Sequence, residues 1–192
     1  MAAASSYFDQ VQKIYTAFYQ RPADSGGLLF WSQMAAVNGG DLGKVIEEFA
    51  TSEEATALYG SSITTANVGD VIDKIYMALF GRAADAPGKQ FYVDGFAAGT
   101  FTAGKIAMNI LDGAKNGDLI AIANKTAAAN MFTAAVDGRS MTDAGFGTGK
   151  IFAVDYSGNA DATAARTWLA KVKADSSTIP TASEVMATVA NR

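Results

Sequence analysis

The sequence predicts an all-α protein: two tandem helical units, followed by a loop-rich joint and C-terminal helices. Three observations predict this fold class. Apolar residues recur at helical spacing, no segment alternates between apolar and polar residues as a strand does, and one stretch occurs twice. The 192 residues suffice for a sizeable core, and the 49% apolar composition, much of it alanine, favours closely packed helices.

The duplicated stretch begins at Lys13 in the first copy and at Lys74 in the second, an offset of 61 residues. The first copy reads KIYTAFYQRPADSGG followed by Phe30-Trp31, and the second reads KIYMALFGRAADAPG followed by Phe91-Tyr92. The same offset relates Gly43-Lys44-Val45 to Gly104-Lys105-Ile106. A constant offset without gaps, over this length, indicates a duplicated structural unit.

The first unit is predicted to contain four helices. Residues 5–20 form the first, and Pro22 ends it because proline disfavours helix in the residue before it. Asp24 is placed to cap the second helix, which ends at the Asn38-Gly39-Gly40 turn. Asp41 is expected to cap the third helix. A capping box from Thr51 to Glu54 predicts the start of the fourth helix, and Gly60 predicts its end.

The second unit repeats this plan. Residues 81–85 form the turn, and Pro87 suits the first position of the next helix. The aromatic residues expected to face inward from that helix are Phe91, Tyr92 and Phe96. A longer helix is predicted from about Asp118 to Val136.

The rest of the chain differs in character. Residues 137–160 are rich in turn-forming glycine, aspartate and serine, and they predict the loop-rich joint. Asp161 is expected to cap a helix that runs through Ala174, and Thr181 or Ser183 starts the last helix. We therefore divide the chain into a duplicated helical domain, 1–136, and a joint with a C-terminal helical pair, 137–192, that packs on it.

Composition excludes several kinds of site. The net charge is −4 and no basic tract is present, so nucleic acid is not an expected partner. Without cysteine or histidine, the chain has no thiolate, no disulfide and no imidazole base or ligand. The N-terminal residues lack the features of a cleavable signal peptide, and no window predicts a membrane span. These features are typical of a cytoplasmic protein, and equally of a protein that is exported by a C-terminal signal.

The duplicated motif resembles the DUF4214 repeat, whose typical form is LYxxLFGRxPDxxGxxYW. In the second copy the matching positions are Tyr76, Leu79-Phe80-Gly81-Arg82, Asp85 and Gly88, and in the first they are Tyr15, Phe18, Arg21-Pro22-Ala23-Asp24, Gly27 and Phe30-Trp31. The segment from Phe49 to Glu54 resembles the family's F-x-x-S-x-E, which the second copy lacks. The resemblance covers roughly residues 10–135.

The resemblance implies a small helical module of secreted and surface-layer (S-layer) bacterial proteins. The implied export route is type I secretion, which uses an uncleaved C-terminal signal and needs no N-terminal one. The implied location is therefore extracellular, at the cell surface. As an N-terminal anchoring domain, the module would hold a cell-surface polysaccharide such as the O-antigen of lipopolysaccharide.

Polar and aromatic residues of the repeat are the candidate glycan-binding residues, because sugar sites use planar rings and fork-like donors. They are Tyr19, Arg21, Asp24, Trp31, Arg82, Asp85 and Tyr92. The alternative interpretation is structural. In it each aspartate caps the next helix, each arginine braces the turn, and the aromatic residues belong to the core.

A second candidate site would bind calcium, the one cofactor that we expect. Asp155, Ser157, Asn159 and Asp161 place oxygen ligands at alternate positions, as a calcium loop does. The pattern departs from the EF-hand, since Ala160 replaces the turn glycine and Arg166 stands where the bidentate glutamate should be. The alternative interpretation is an ordinary turn followed by a helix cap.

The leading hypothesis is a non-enzymatic surface-layer domain that anchors to cell-surface polysaccharide. A second hypothesis is a structural helical scaffold that self-associates, with lattice neighbours or other proteins as partners. A third is an enzyme that uses carboxylates alone, such as a glycosidase. That enzyme would need two carboxyl groups facing one cleft, which nothing in their spacing indicates.

Overall fold

The computed structural model describes residues 3–137, residue 156 and residues 158–191, and all regular structure in these ranges is helical. This confirms the all-α fold class. The first half contains a 3-10 turn (Ala4–Tyr7), α1 (Phe8–Ile14), a π-helical turn (Tyr15–Tyr19), α2 (Ser25–Val37), α3 (Gly43–Thr51) and α4 (Glu53–Tyr59). The remainder contains α5 (Val68–Phe80), α6 (Ala86–Ala97), α7 (Ala103–Asp112), α8 (Asn116–Asp137), α9 (Gly158–Leu169), a 3-10 turn (Ser176–Thr178) and α10 (Ala182–Ala190).

Several helix caps were predicted correctly. Asp24 caps α2 by accepting a hydrogen bond from the Gly27 amide, and Thr181 caps α10 in a capping box with Glu184. Gly60 ends α4 with a positive φ of 96°. Each cap satisfies backbone groups that the end of a helix leaves without an intrahelical partner.

Three cap predictions were wrong. Ser52, not Thr51, caps α4, and its side chain accepts from the Ala55 amide. Leu42, not Asp41, is the N-cap of α3. The Asp41 carboxylate still accepts a hydrogen bond from the amide of Gly43, the first residue of the helix. Asp161 lies inside the first turn of α9, which begins at Gly158 and ends at Leu169.

Contacts around the first interhelical turn recur in the second unit. Asp85 caps α6 through the Gly88 amide, as Asp24 caps α2. Gln20 and Gly81, which correspond at the offset, both have left-handed backbone, with φ of 62° and 73°. Two further hydrogen bonds recur. The Ala23 amide donates to the Gln12 side chain, as the Ala84 amide donates to Asp73. Arg21 donates to the Pro22 carbonyl, as Arg82 donates to the Ala83 carbonyl.

One continuous core joins the two units. It extends from α1 to Ile122 of α8 and includes the buried side chains of Phe18, Phe49 and Ile75. Helices α3 and α7 approach closely at Gly104, where an added Cβ would lie 2.0 Å from the Cγ2 of Ile46. Glycine is therefore required at this contact. Smaller clusters hold α8, α9 and α10 together, around Phe132, Leu169 and Val185 among others.

The inward face predicted for α6 is partly wrong. Phe91 is 61% exposed, although Tyr92 and Phe96 pack partly against the core. None of the α6 side chains is fully buried. The helix lies at the surface of the second unit, so its apolar spacing does not correspond to a fully buried face.

Helix α8 is long and apolar enough, by length and composition, to meet the criteria for a membrane span. Its most apolar window is 56% buried among the other helices described. A core helix passes the same test. The sequence prediction had found no such window.

A lysine is buried on α8. Lys125 is 1% exposed, and its ammonium donates a hydrogen bond of 2.9 Å to the carbonyl of Leu169, the last residue of α9. A positive charge is favourable at the C-terminal end of a helix. Burial and, to a smaller extent, the neighbouring Lys173 charge nevertheless lower the pKa of Lys125 to about 8.

This pKa predicts a pH-dependent stability. Between about pH 8 and the ordinary lysine pKa of 10.5, the unfolded chain holds the Lys125 proton and the folded chain does not. The free energy of unfolding should therefore rise over this window, by roughly 3 kcal/mol at most. Urea unfolding of the wild type and of Lys125→Met across pH 7–11 measures it, and the difference between the two proteins cancels the ionisation of tyrosines. A constant difference across the window would contradict the prediction.

Candidate functional site

Arg21 and Glu54 form a buried ion pair at the turn between the π-helical turn and α2. Arg21 Nε and Nη2 donate to the two carboxylate oxygens of Glu54, at 2.8 and 2.7 Å. Arg166 of α9 donates to the same carboxylate through Nη2, and its Nε donates to the Tyr19 carbonyl at 2.9 Å. The Arg21 side chain is 10% exposed and the Glu54 side chain 20%. Glu54 therefore joins the first unit to the C-terminal helices.

Tyrosine rings surround the Arg21 guanidinium. Its central carbon lies 5.2 Å from the ring centroid of Tyr15, 5.6 Å from that of Tyr19 and 5.5 Å from that of Tyr156. Cation–π attraction adds to the ion pair at such distances. Burial, the largest single effect, lowers the Arg21 pKa, but the hydrogen bonds to Glu54 and the charge interactions with Tyr156, Glu54 and Tyr15 together outweigh it, and the pKa is raised. The guanidinium thus stays charged within an aromatic shell.

The same environment keeps the tyrosines protonated. Burial raises the pKa of Tyr19 to about 12, and it raises the pKa of Tyr15 further, with the Asp24 carboxylate adding to the effect. The Tyr156 hydroxyl donates to the Pro22 carbonyl at 3.2 Å. These hydroxyls therefore act as hydrogen-bonding groups rather than as bases at neutral pH.

An open polar cleft of about 350 Å³ lies beside this cluster. Three parts of the chain form its walls: the α2 turn, the start of α4, and the start of α9. The residues that line it are Arg21, Asp24, Glu53, Glu54, Ala57, Tyr156, Gly158, Asn159 and Ala162. Arg21 and Arg166 neutralise Glu54, and Asp24 Oδ2 lies 3.7 Å from Arg21 Nη1. The acidic groups that face the cleft are therefore Asp24, which Arg21 partly neutralises, and Glu53.

Of the glycan-binding candidates, the cleft brings together only Arg21 and Asp24. Tyr19 is buried behind it, where it stacks on Phe49 at 4.4 Å and donates a 2.8 Å hydrogen bond to Ser52. Trp31 is half-buried against Phe49 and does not line the cleft. Tyr19 and Trp31 therefore occupy the core positions that the structural interpretation gave them.

The second unit has a different environment at the corresponding positions. Arg82 is 47% exposed at its side chain and pairs with Asp118 of α8 at 2.6 Å. Position 115, which corresponds to Glu54, is Lys115, so the second unit cannot form the same buried pair. Asp85 caps α6, and Tyr92 packs partly against the core beside Phe101. These three candidates do not contribute to the cleft of the first unit.

The calcium prediction is only partly within the described residues, since Asp155 and Ser157 lie outside them. Asn159 and Asp161 lie in the first turn of α9. Side chains two residues apart on a helix point in different directions, so these two do not converge as loop ligands would. Among the described residues, no cluster of three acidic side chains could hold a metal ion.

The sequence pattern did not indicate Arg166, Tyr156 or the ion-pairing role of Glu54 as parts of a site. Arg166 was noted only as a departure from a calcium pattern, and Glu54 was assigned to a capping box. No local signal marks these residues, because their hydrogen-bond partners lie 33 to 147 positions away. A salt bridge across such a separation depends on how the helices pack.

Within the described residues, the chain forms a helical domain with a polar cleft between its first unit and its C-terminal helices. Residues 46–119 match the model of a family described as "Domain of unknown function (DUF4214)". The match begins within α3, ends in α8 and covers less than half of the chain. Over that segment it supports the resemblance to DUF4214. No curated protein and no solved structure matches the chain.

Proposed function

We propose that the chain is a non-enzymatic domain of a bacterial surface-layer protein that binds cell-surface polysaccharide, the O-antigen of lipopolysaccharide, in the Arg21–Glu54 cleft. The observation that carries this proposal is the polar cleft with its prearranged side chains. Hydrogen bonds already fix Arg21 and Asp24, so a ligand would not have to order them. The resemblance to DUF4214 supplies the extracellular setting and the type I export route.

The chemistry of the cleft suits hydroxyl groups. The carboxylates of Asp24 and Glu53 accept hydrogen bonds, and the Asn159 amide both donates and accepts. Tyr156 also lines the cleft, so an aromatic side chain of the kind that sugar sites use is present in its wall. The excess of carboxylates disfavours a strongly anionic chain at this position. A neutral or amine-bearing stretch of polysaccharide is therefore the proposed ligand.

We also infer that the two units arose by tandem duplication. The recurring caps and left-handed turn residues support this, as does the constant offset of 61 residues. The first unit pairs its arginine with Glu54, whereas the second unit has Lys115 at the corresponding position. The residues that line the cleft come from the first unit and the C-terminal part of the chain. Because of this difference, we expect the first unit to contribute to a ligand site and the second unit not to form an equivalent one.

Binding to lipopolysaccharide extracted from the producing bacterium tests the proposal. The informative variant is Glu53→Ala with Asn159→Ala, because both side chains are exposed and their loss should spare the fold. Removing two ligand hydrogen bonds should weaken binding by about tenfold. Glu48→Ala, also exposed but outside the cleft, is the matched control and should bind as the wild type does.

Each measurement is made with calcium and with chelator. Calcium dependence would extend the site toward the Asp155–Asp161 segment. Absence of saturable binding in both conditions would remove the anchoring function. Wild-type affinity in the double variant would remove the cleft as the binding site.

A second candidate function, the self-associating scaffold, is favoured by one specific observation. Helix α2 exposes large apolar side chains to solvent, with Phe30 53% and Val37 68% exposed. Contiguous exposed apolar patches typically mark an interaction surface.

A further inference from the structure

We propose that the exposed apolar face of α2 in one copy of this chain inserts into an uncharged pocket of a second copy, so that copies join head to tail. This inference rests on the second candidate function, self-association, and assigns the two surfaces that would make the contact. Neither surface shares a lining residue with the Arg21–Glu54 cleft.

The first surface, the α2 face, consists of Leu29, Phe30, Met34 and Val37. Phe30, Met34 and Val37 follow one another at spacings of four and three residues, so they lie on one side of the helix. The whole of α2, Ser25–Val37, contains no charged residue, although 18% of the chain is charged. The Phe30 ring is already positioned against Trp31, with 4.8 Å between ring centroids. Little side-chain freedom would be lost when it is covered.

The second surface, the interunit pocket, has a volume of about 510 Å³ and lies between α4 of the first unit and the α6–α7 turn of the second. Its apolar lining includes Ile63, Phe96 and Phe101. The polar side chains that line it are serine and threonine hydroxyls, and no charged residue lines it. One of these hydroxyls, that of Thr102, already donates to Glu47. The pocket is large enough for a phenylalanine side chain together with part of a neighbouring one.

The two surfaces match in chemistry and share no residue. Two copies, each with a net charge of −4, repel one another, and an uncharged contact avoids placing like charges side by side. Covering Phe30 and Val37 removes apolar area from water, which is the main driving force for such an association. The contact joins two different surfaces, so it either extends as an open chain or closes as a ring.

Light scattering during size-exclusion chromatography of the full chain, over a range of concentrations, tests the inference. Phe30→Ser removes the centre of the α2 face, and Ser61→Arg places a charge at the pocket from an exposed position. Met77→Ser is the matched control, because Met77 is as exposed as Phe30 but lies on neither surface. The mass of the wild type and of the control should rise with concentration, and each of the other variants should remain monomeric.

A mixture of the two disabled variants provides the sharpest result. The Phe30→Ser copy keeps an intact pocket and the Ser61→Arg copy keeps an intact α2 face, so the mixture should form one-to-one dimers that grow no further. Circular dichroism checks that each variant is folded.

Three outcomes would overturn the inference. If the wild type is monomeric at its highest soluble concentration, the scaffold function fails as well. If the wild type associates and Phe30→Ser also does, only the assigned contact fails. The third outcome is that Phe30→Ser is monomeric, that Ser61→Arg still associates, and that the mixture does not pair. In that case α2 of one copy packs against α2 of the second copy, and the pocket is not the contact.

Discussion

Replacing Glu54 with glutamine is expected to destabilise the fold by about 3–5 kcal/mol, the usual cost of breaking a buried ion pair from one side. The Glu54 carboxylate is shared by Arg21 and Arg166, whose side chains are 10% and 18% exposed. Without the carboxylate, two guanidinium groups face one another with little access to water. Neither can relieve the strain by losing its proton, because arginine stays charged in proteins.

The second unit supplies the matched control. Asp118→Asn breaks the pair with Arg82, whose side chain is 47% exposed, and should cost about 1 kcal/mol or less because water screens an exposed pair. Urea unfolding measures both variants, with the midpoint falling and the slope unchanged. Equal losses in the two variants would show that burial of the first pair has no energetic consequence.

Replacing Phe49 with alanine is expected to cost about 3–5 kcal/mol, as for other large-to-small changes in a core. Phe49 is fully buried. Its ring centroid lies 4.8 Å from that of Tyr15, 4.4 Å from that of Tyr19 and 5.5 Å from that of Trp31. The substitution would leave a cavity and remove three aromatic contacts at once.

Thermal unfolding measures the loss, and tryptophan fluorescence reports the change around Trp31, whose emission should shift toward that of a water-exposed indole. Met77→Ala is the control at an exposed position that lies on neither association surface, with an expected effect of about 0.5 kcal/mol or less. A loss below about 1 kcal/mol for Phe49→Ala would contradict the role of this ring as the centre of the first unit.

Local signals predicted the helices well because they depend on neighbouring residues. Asp24 and Asp85 were recognised as caps from their position before apolar helices, and both accept the expected backbone hydrogen bonds. The capping box at Thr51 failed because Ser52 offers the same hydroxyl one residue later. Glu54, freed from the cap, pairs with arginines instead, so one local ambiguity concealed a central member of the site.

Periodicity was less informative where a helix has apolar residues on several sides. In α2 and α6, such residues surround much of the helix, and spacing alone did not separate Phe91, which faces water, from Tyr92, which packs partly inward. The burial of Lys125 was likewise unpredictable, since a lysine is expected at the surface. Both outcomes depend on which helices pack together, and the sequence pattern of a single helix does not contain that information.

The Arg21–Glu54 cleft has a consequence for the order in which the chain acquires structure. Arg21 and Glu54 are 33 residues apart, whereas Glu54 and Arg166 are 112 apart. Closing the longer loop costs more entropy, and during synthesis Arg166 leaves the ribosome well after the first unit. We therefore expect the walls of the cleft to meet late, when α9 docks. A growing or incompletely folded chain would then lack the complete surface, and capture of a ligand would report that folding has finished.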